Sequence, residues 1–200
     1  MDLSSDTQGA RLGIVPGDRL IHKGDRVDLV IREVRTNSGG RMEREVCVHP
    51  GAVIILPVKE NGDIVLIRNR RHTVFEELLE LPAGTLERRP ALPAWPLHED
   101  PAACAARELA EETGYRAREI EGFGWFYTSP GILTEKMYAF IARGLERGKQ
   151  SLEENEQIKV EEYGPGEVMS LIRENRIVDA KTIATLLKYL VGETSRPTLP

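Results

Sequence analysis

From Arg19 onward the chain alternates apolar and polar residues as half-buried strands do. Residues 27–34 (VDLVIREV) and 43–48 (EREVCV) carry the pattern most clearly. Between them, Thr36-Asn37-Ser38-Gly39-Gly40 offers Asn and Gly residues that accept the positive φ of a hairpin turn. Pro50-Gly51 breaks the chain before residues 52–58 (AVIILPV), an unbroken apolar run of the kind buried on both faces of a sheet. Asn61-Gly62 is a hairpin signal, and residues 64–67 (IVLI) are expected to return as that strand's partner. A basic cluster, Arg68-Asn69-Arg70-Arg71-His72, follows at the strand end, and residues 88–96, rich in Pro and Arg, read as a loop.

The clearest helix begins at Asp100-Pro101, which suit the N-cap and first turn, and stops at Gly114. Residues 123–127 and 136–142 read as strands around a Ser129-Pro130-Gly131 loop, and residues 158–160 as a short strand. Residues 167–175 and 179–191 read as helices, the second with Ile183, Leu186, Leu187, Leu190 and Val191 on one apolar face. Several antiparallel-looking strands with one central and two terminal helices make an α+β fold, a mixed sheet covered by helices.

The chain of 200 residues is 40% hydrophobic and 30% charged, with 27 basic against 32 acidic residues and a net charge of −5. That suits one globular domain with a small appendage. No apolar run approaches the ~18 residues of a membrane span. The first dozen residues are polar, expected to be loose, and do not read as a signal peptide. Cys47 and Cys104 form no CxxC pair, which points to a reducing, cytoplasmic setting. The mild acidity gives no reason to expect nucleic acid as a partner.

The acidity is not evenly spread. Residues 99–112 carry −4 and residues 153–162 another −4, leaving the rest of the chain at +3. On a helix, Glu108, Glu111 and Glu112 stand at i, i+3 and i+4 and share one face, where they repel. Such a stretch is most often a solvated acidic face, but a hard divalent cation among the three carboxylates would make sense of the repulsion. Arg107, four residues before Glu111, is placed to hold that carboxylate.

Gly84, Glu99, Arg107, Glu108, Glu111, Glu112 and Gly114 follow the pattern G-x5-E-x7-R-E-U-x-E-E-x-G-U, with Leu109 and Tyr115 at the apolar positions. The spacing holds from Glu99 onward. Fourteen residues separate Gly84 from Glu99 where the pattern has five, as a loop insertion would produce. On these residues the chain resembles the Nudix hydrolases, and within them the ADP-ribose pyrophosphatases. Glu80-Leu81-Pro82-Ala83-Gly84 before the box, Pro130 sixteen residues after Gly114, Glu135 and Glu154-Asn155-Glu156 extend the likeness.

The resemblance implies a Nudix α/β/α sandwich over residues 49–200. It also implies an N-terminal antiparallel β-subdomain over residues 1–48, exchanged across a homodimer. It further implies Mg²⁺, or Mn²⁺ in its place, held by Glu108, Glu112, Glu111 and the carbonyl of Ala83. Glu154 is the first choice of general base and Glu156 the second. Arg71 would hold substrate phosphate, with Arg44 reaching the ligand across the dimer and Glu135 and Pro130 at the substrate. Glu135 could equally be a loop salt-bridge residue. The implied reaction is hydrolysis of ADP-ribose to AMP and ribose 5-phosphate. The alternatives are another nucleoside diphosphate sugar, such as GDP-mannose, or a sensor that binds ADP-ribose without cleaving it. His49 and His72 read as structural, Trp95 and Trp125 as packing, and Cys104 as a small buried residue.

Overall fold

The computed structural model of the chain describes residues 13–87, 99–154 and 156–194. The expectations for the first dozen residues, the 88–96 loop and Trp95 lie outside them. The chain opens on an antiparallel sheet of β1 (Arg19–Lys23), β2 (Asp28–Arg35) and β3 (Arg41–Val48), in that order. The expected hairpin is β2–β3, in register from Asp28↔Val48 to Arg35↔Arg41, with Gly39 at φ 83° in its turn. The sheet is stitched to the rest by Cys47, whose N–H donates to the Ile132 carbonyl (2.8 Å) and whose carbonyl accepts from Thr134 N–H (3.0 Å).

The next strand, β4 (Ala52–Pro57), is buried along its whole length, as its apolar run implies. Both its edges are filled. Antiparallel β7 (Ala83–Thr85) lies on one side, parallel β9 (Lys136–Arg147) on the other, and β8 (Tyr115–Tyr127) beyond β9. This corrects the pairing expected for residues 64–67. The Asn61-Gly62 turn forms, with Gly62 N–H donating to the Lys59 carbonyl at 3.0 Å, yet β5 (Ile64–Arg71) meets the preceding strand only at the bridge Val58↔Ile64. With no free edge on β4, β5 enters a third sheet, antiparallel between β10 (Ile158–Tyr163) and β6 (Glu76–Glu80).

Alternation along β4 and β5 divides the core in two. Ile54, Leu56, Ile64 and Leu66 pack towards the helices α2 (Pro165–Arg173) and α3 (Ala180–Thr194), meeting Val168, Leu171 and Leu186. Val53, Ile55 and Val65 face α1 (Pro101–Thr113), meeting Cys104, Ala105 and Leu109. Helices therefore cover both faces of a mixed sheet, the α/β/α arrangement expected.

The ends of α1 follow their local chemistry. Asp100 caps the helix by accepting from Ala103 N–H, and Pro101 opens it. Gly114 closes it in the left-handed region at φ 75°. A Cβ at Gly114 would also lie 2.9 Å from the backbone N of Gln150, so the position lacks room as well as conformational tolerance.

The face expected on residues 179–191 is rotated. Thr182, Thr185, Leu186 and Tyr189 are buried, whereas Val191 is 61% exposed. The threonines enter because Thr182 Oγ1 donates to Asp179 Oδ2 (2.6 Å) and Thr185 Oγ1 to the Lys181 carbonyl (2.9 Å). Trp125 also departs from simple packing. It is 41% exposed, edge-on to Tyr127 at 5.4 Å, with Lys136 Nζ 4.1 Å from its ring centroid. Cys104 is fully buried, as expected.

Candidate active site

A cleft of about 450 Å³ brings together α1, the end of β5, β7 and the connection between β9 and β10. From α1 come Arg107, Glu108, Glu111 and Glu112, the three glutamates spaced to share the face turned to the cleft. Arg70 and Arg71 enter from β5 and His72 from the turn after it, Ala83 and Gly84 from β7, and Glu153 and Glu156 from the β9–β10 connection.

Arg107 organises the acidic side. Its Nη1 lies 2.8 Å from Glu108 Oε1 and 2.9 Å from Glu111 Oε2. Its Nε and Nη2 donate to the two oxygens of Glu99 at 3.2 and 3.0 Å. Burial would raise the Glu99 carboxyl, but these hydrogen bonds outweigh it and hold the group below its ordinary value. The first glutamate of the box thus fixes the arginine that holds the later ones.

Glu108 and Glu112 are shifted the other way. Burial pushes Glu108 up to about 7, against the pull of Arg107 and with help from the charges of Glu111 and Glu156. Burial pushes Glu112 up to about 8, opposed by the Ala83 N–H that it accepts at 2.9 Å and aided by Glu108 and Glu156. Two neighbouring carboxylates, one half-buried and one buried, that resist ionisation are a costly arrangement unless a cation joins them.

The first box glycine is explained by the same carboxylates. A Cβ at Gly84 would lie 1.9 Å from Glu108 Cδ and 2.0 Å from its Oε1. Glycine is what lets the Glu108 carboxylate lie against β7, so the long stretch between Gly84 and Glu99 leaves the box geometry intact. Among the described residues no three His, Cys, Asp or Glu side chains already stand close enough to share an ion. Arg107 draws Glu108 and Glu111 to itself. The donor set nonetheless fits a hard divalent cation: oxygen only, anionic, desolvated, and cradled where a side chain on residue 84 would intrude.

Across the cleft, Arg71 forms a two-pronged pair with Glu80, at 2.8 Å from Nε and 2.6 Å from Nη2. The other expected site residues are dispersed. Glu154 is exposed and outside the lining, while Glu156 lines the cleft beside Glu108 and Glu112. Arg44 lines a separate hollow with Gly131 and Ile132. Glu135 accepts from Thr128 Oγ1 (2.5 Å) and lies 3.5 Å from His49 Nε2, the loop-bridge arrangement considered for it. Pro130 is exposed in the same loop.

Sequence reasoning missed Asp25 and Arg26, which line the cleft from the β1–β2 turn, and gave Arg70 no role. It also missed Gln150, whose amide donates to the Glu112 carbonyl at 2.6 Å, and Ser151, whose N–H donates to the Glu111 carbonyl at 3.0 Å. Unfilled carbonyls at the end of a helix were the available signal, since something must satisfy them.

The NUDIX domain matches residues 48–186. The ADP-ribose pyrophosphatase of Bacillus subtilis (strain 168) is 35% identical over 172 residues, covering 85% of this chain and 88% of that one. The methanol dehydrogenase activator of Bacillus methanolicus is 34% identical over the same length, with the same two coverages. A crystal structure of an ADP compounds hydrolase superposes with a TM-score of 0.72 at 20% identity, covering 90% of this chain and 92% of that one, a likeness of fold. With three of the four box glutamates lining one cleft and the match spanning most of the chain, this protein belongs to the NUDIX family.

Proposed function

We propose that the protein hydrolyses the pyrophosphate bond of ADP-ribose, giving AMP and ribose 5-phosphate, with Mg²⁺ or Mn²⁺ as cofactor. The observation that carries the reading is a pair of desolvated carboxylates, half-buried Glu108 and buried Glu112, lining one cleft with Arg70 and Arg71. Similarity to an ADP-ribose pyrophosphatase over 85% of the chain supports the substrate. Glu108, Glu112, Glu111 and the Ala83 carbonyl would hold the cation, which when bound neutralises phosphate charge and lowers the pKa of water.

The remaining work falls to the chain. Arg71 and Arg70 bind the phosphates, Arg71 through a guanidinium that its Glu80 partner keeps firmly protonated. Arg107 keeps Glu108 and Glu111 oriented. Glu156, rather than Glu154, takes the proton from the attacking water, since it lies in the cleft and its charge acts on both Glu108 and Glu112. The bridging P–O bond then breaks and the proton passes on to a product phosphate.

The substrate is tested by a hydrolysis panel of ADP-ribose, GDP-mannose, UDP-glucose, NADH and diadenosine polyphosphates with Mg²⁺, products identified. ADP-ribose is expected to show a kcat/KM at least about tenfold above the others, roughly 1.4 kcal/mol of discrimination. Equal turnover of GDP-mannose would reassign the specificity. Binding of ADP-ribose with no turnover would return the sensor reading.

The proposal includes a homodimer that exchanges the sheet within residues 1–48. Arg44 lies outside its own chain's cleft, so any contact it makes with substrate needs a second copy. Light scattering is expected to give twice the 22.4 kDa chain mass at micromolar concentration, and a monomer mass would remove this part. Free thiols at Cys47 and Cys104 support a reducing cytoplasm. Among the described residues, no helix is long and apolar enough to cross a membrane.

A further inference from the structure

Glu80, the last residue of β6, is fully buried. Its oxygens take Arg71 Nε at 2.8 Å, Arg71 Nη2 at 2.6 Å and Lys181 Nζ, from the start of α3, at 2.7 Å. Lys181 Nζ also lies 2.9 Å from Asp179 Oδ1. A carboxylate buried this completely is tolerated only with such partners, and an apolar side chain of similar volume would be the cheaper occupant.

The strand register makes the arrangement selective. Arg71 stands opposite Glu76, an exposed acid on β6, while Glu80 stands opposite Ile67. Yet Arg71 lies back along the strand to the buried acid. The pair uses one edge of the guanidinium, Nε and Nη2, and leaves Nη1 outside it. Sharing the Glu80 carboxylate with Lys181 also leaves Arg71 less completely neutralised towards an anion.

We infer that Glu80 is a positioning residue: it fixes the Arg71 guanidinium at the cleft, and Lys181, reaching in from α3, completes the support. This assigns a purpose to the glutamate of the Glu80–Gly84 stretch, and it rests on the reading above that Arg71 contacts substrate phosphate. A second tie runs the same way, since Leu81 N–H donates to Thr182 Oγ1 at 2.9 Å and docks the stretch on α3.

The test is a double-mutant cycle in the full chain, with ADP-ribose and Mg²⁺, reading kcat and KM separately. Glu80→Gln keeps the side-chain shape and is expected to raise KM about tenfold, with a smaller change in kcat. Placed in an Arg71→Gln background, Glu80→Gln is expected to change kcat/KM less than about twofold, because there is nothing left to position. Independent losses that multiply would overturn the inference. Should Arg71→Gln itself retain wild-type kcat/KM, the phosphate contact and this inference fail together. The carboxylate reading is then still judged separately, by replacing Glu112. If Glu80→Gln does not fold by circular dichroism, Glu80→Asp keeps the buried charge and withdraws it by one methylene. Its expected rise in KM is about threefold. An unchanged KM, or failure of both variants to fold, would assign Glu80 to stability alone.

Discussion

Glu112→Gln is expected to lower kcat at least about a hundredfold, beyond the 10–100-fold that loss of an outer partner of a metal ligand causes. The glutamine keeps the side-chain length and an oxygen to accept the Ala83 N–H, now made at 2.9 Å, so the fold should persist. What disappears is the charge. The same substitution should make the protein more stable in EDTA, with a characteristic pH dependence. The Glu112 carboxyl ordinarily titrates near 4.5 and is pushed up to about 8 in the fold by burial. A group whose folded pKa is raised contributes stability that is complete below its unfolded pKa and is lost as pH rises through the folded value. Through Glu112, wild type therefore loses stability from about pH 4.5 to about pH 8, and a glutamine at that position removes this contribution. The advantage of the variant should grow across that window to the order of a few kcal/mol. Urea unfolding at several pH values measures it. A difference independent of pH, or wild-type turnover, would remove Glu112 from the role assigned to it.

Glu156→Gln is expected to lower kcat by about 10²–10⁴-fold, the usual contribution of a positioned general base, whereas Glu154→Gln should stay within about threefold of wild type. The two glutamates are near neighbours in sequence and differ in what they face. Glu156 lines the cleft and accepts the Glu153 N–H at 2.9 Å, which ties its carboxylate to its own turn. Glu154 is exposed. Their order reverses the preference drawn from sequence, and the paired kinetics decide between them. Larger loss in Glu154→Gln would mean that the connection rearranges when substrate binds.

Much of the fold could be read directly because its signals are local. Asp100, Pro101 and Gly114 mark the ends of α1 by capping chemistry that acts within a few residues. Residues 52–57 announce a two-sided strand by having no polar face. Sheet membership is different in kind. Nothing near Asn61-Gly62 says that β4 already has neighbours on both edges, supplied from residues 83–85 and 136–142. The first half of β8 went unread because an edge strand tolerates the charged residues of YRAREIEG. On α3, Thr182 and Thr185 took positions that hydropathy assigns to leucine, since each hydroxyl found a partner.

The site divides along the same line. The box glutamates were readable because helical spacing places them on one face without help from the rest of the chain. Glu80 was visible as part of a shared stretch but its partners were not, for a buried ion pair with residues nine and 101 positions away leaves no periodic trace. Asp25 and Arg26 are exposed turn residues in the folded chain too, and only the placement of the N-terminal sheet brings them to the cleft rim.

The end of α1 has one more consequence, for the order of assembly. The Gly148 N–H donates to the Gly114 carbonyl at 2.7 Å, so the chain leaves the helix and returns to the same point. Everything between is the β8–β9 hairpin, whose ladder runs from Tyr127↔Lys136 at its loop to Tyr115↔Arg147 beside the helix. The glutamates of α1 and those after β9 are distant along the chain, yet closing the hairpin joins the ends of their two segments at the Gly114–Gly148 contact and brings both to one cleft. The entropy of bringing the two acidic segments together is met by strand pairing rather than by their own unfavourable approach. When pairing starts at the loop, the last rung to close is the one beside the cleft. During refolding, hydrolytic activity should then return only after the whole ladder has zipped.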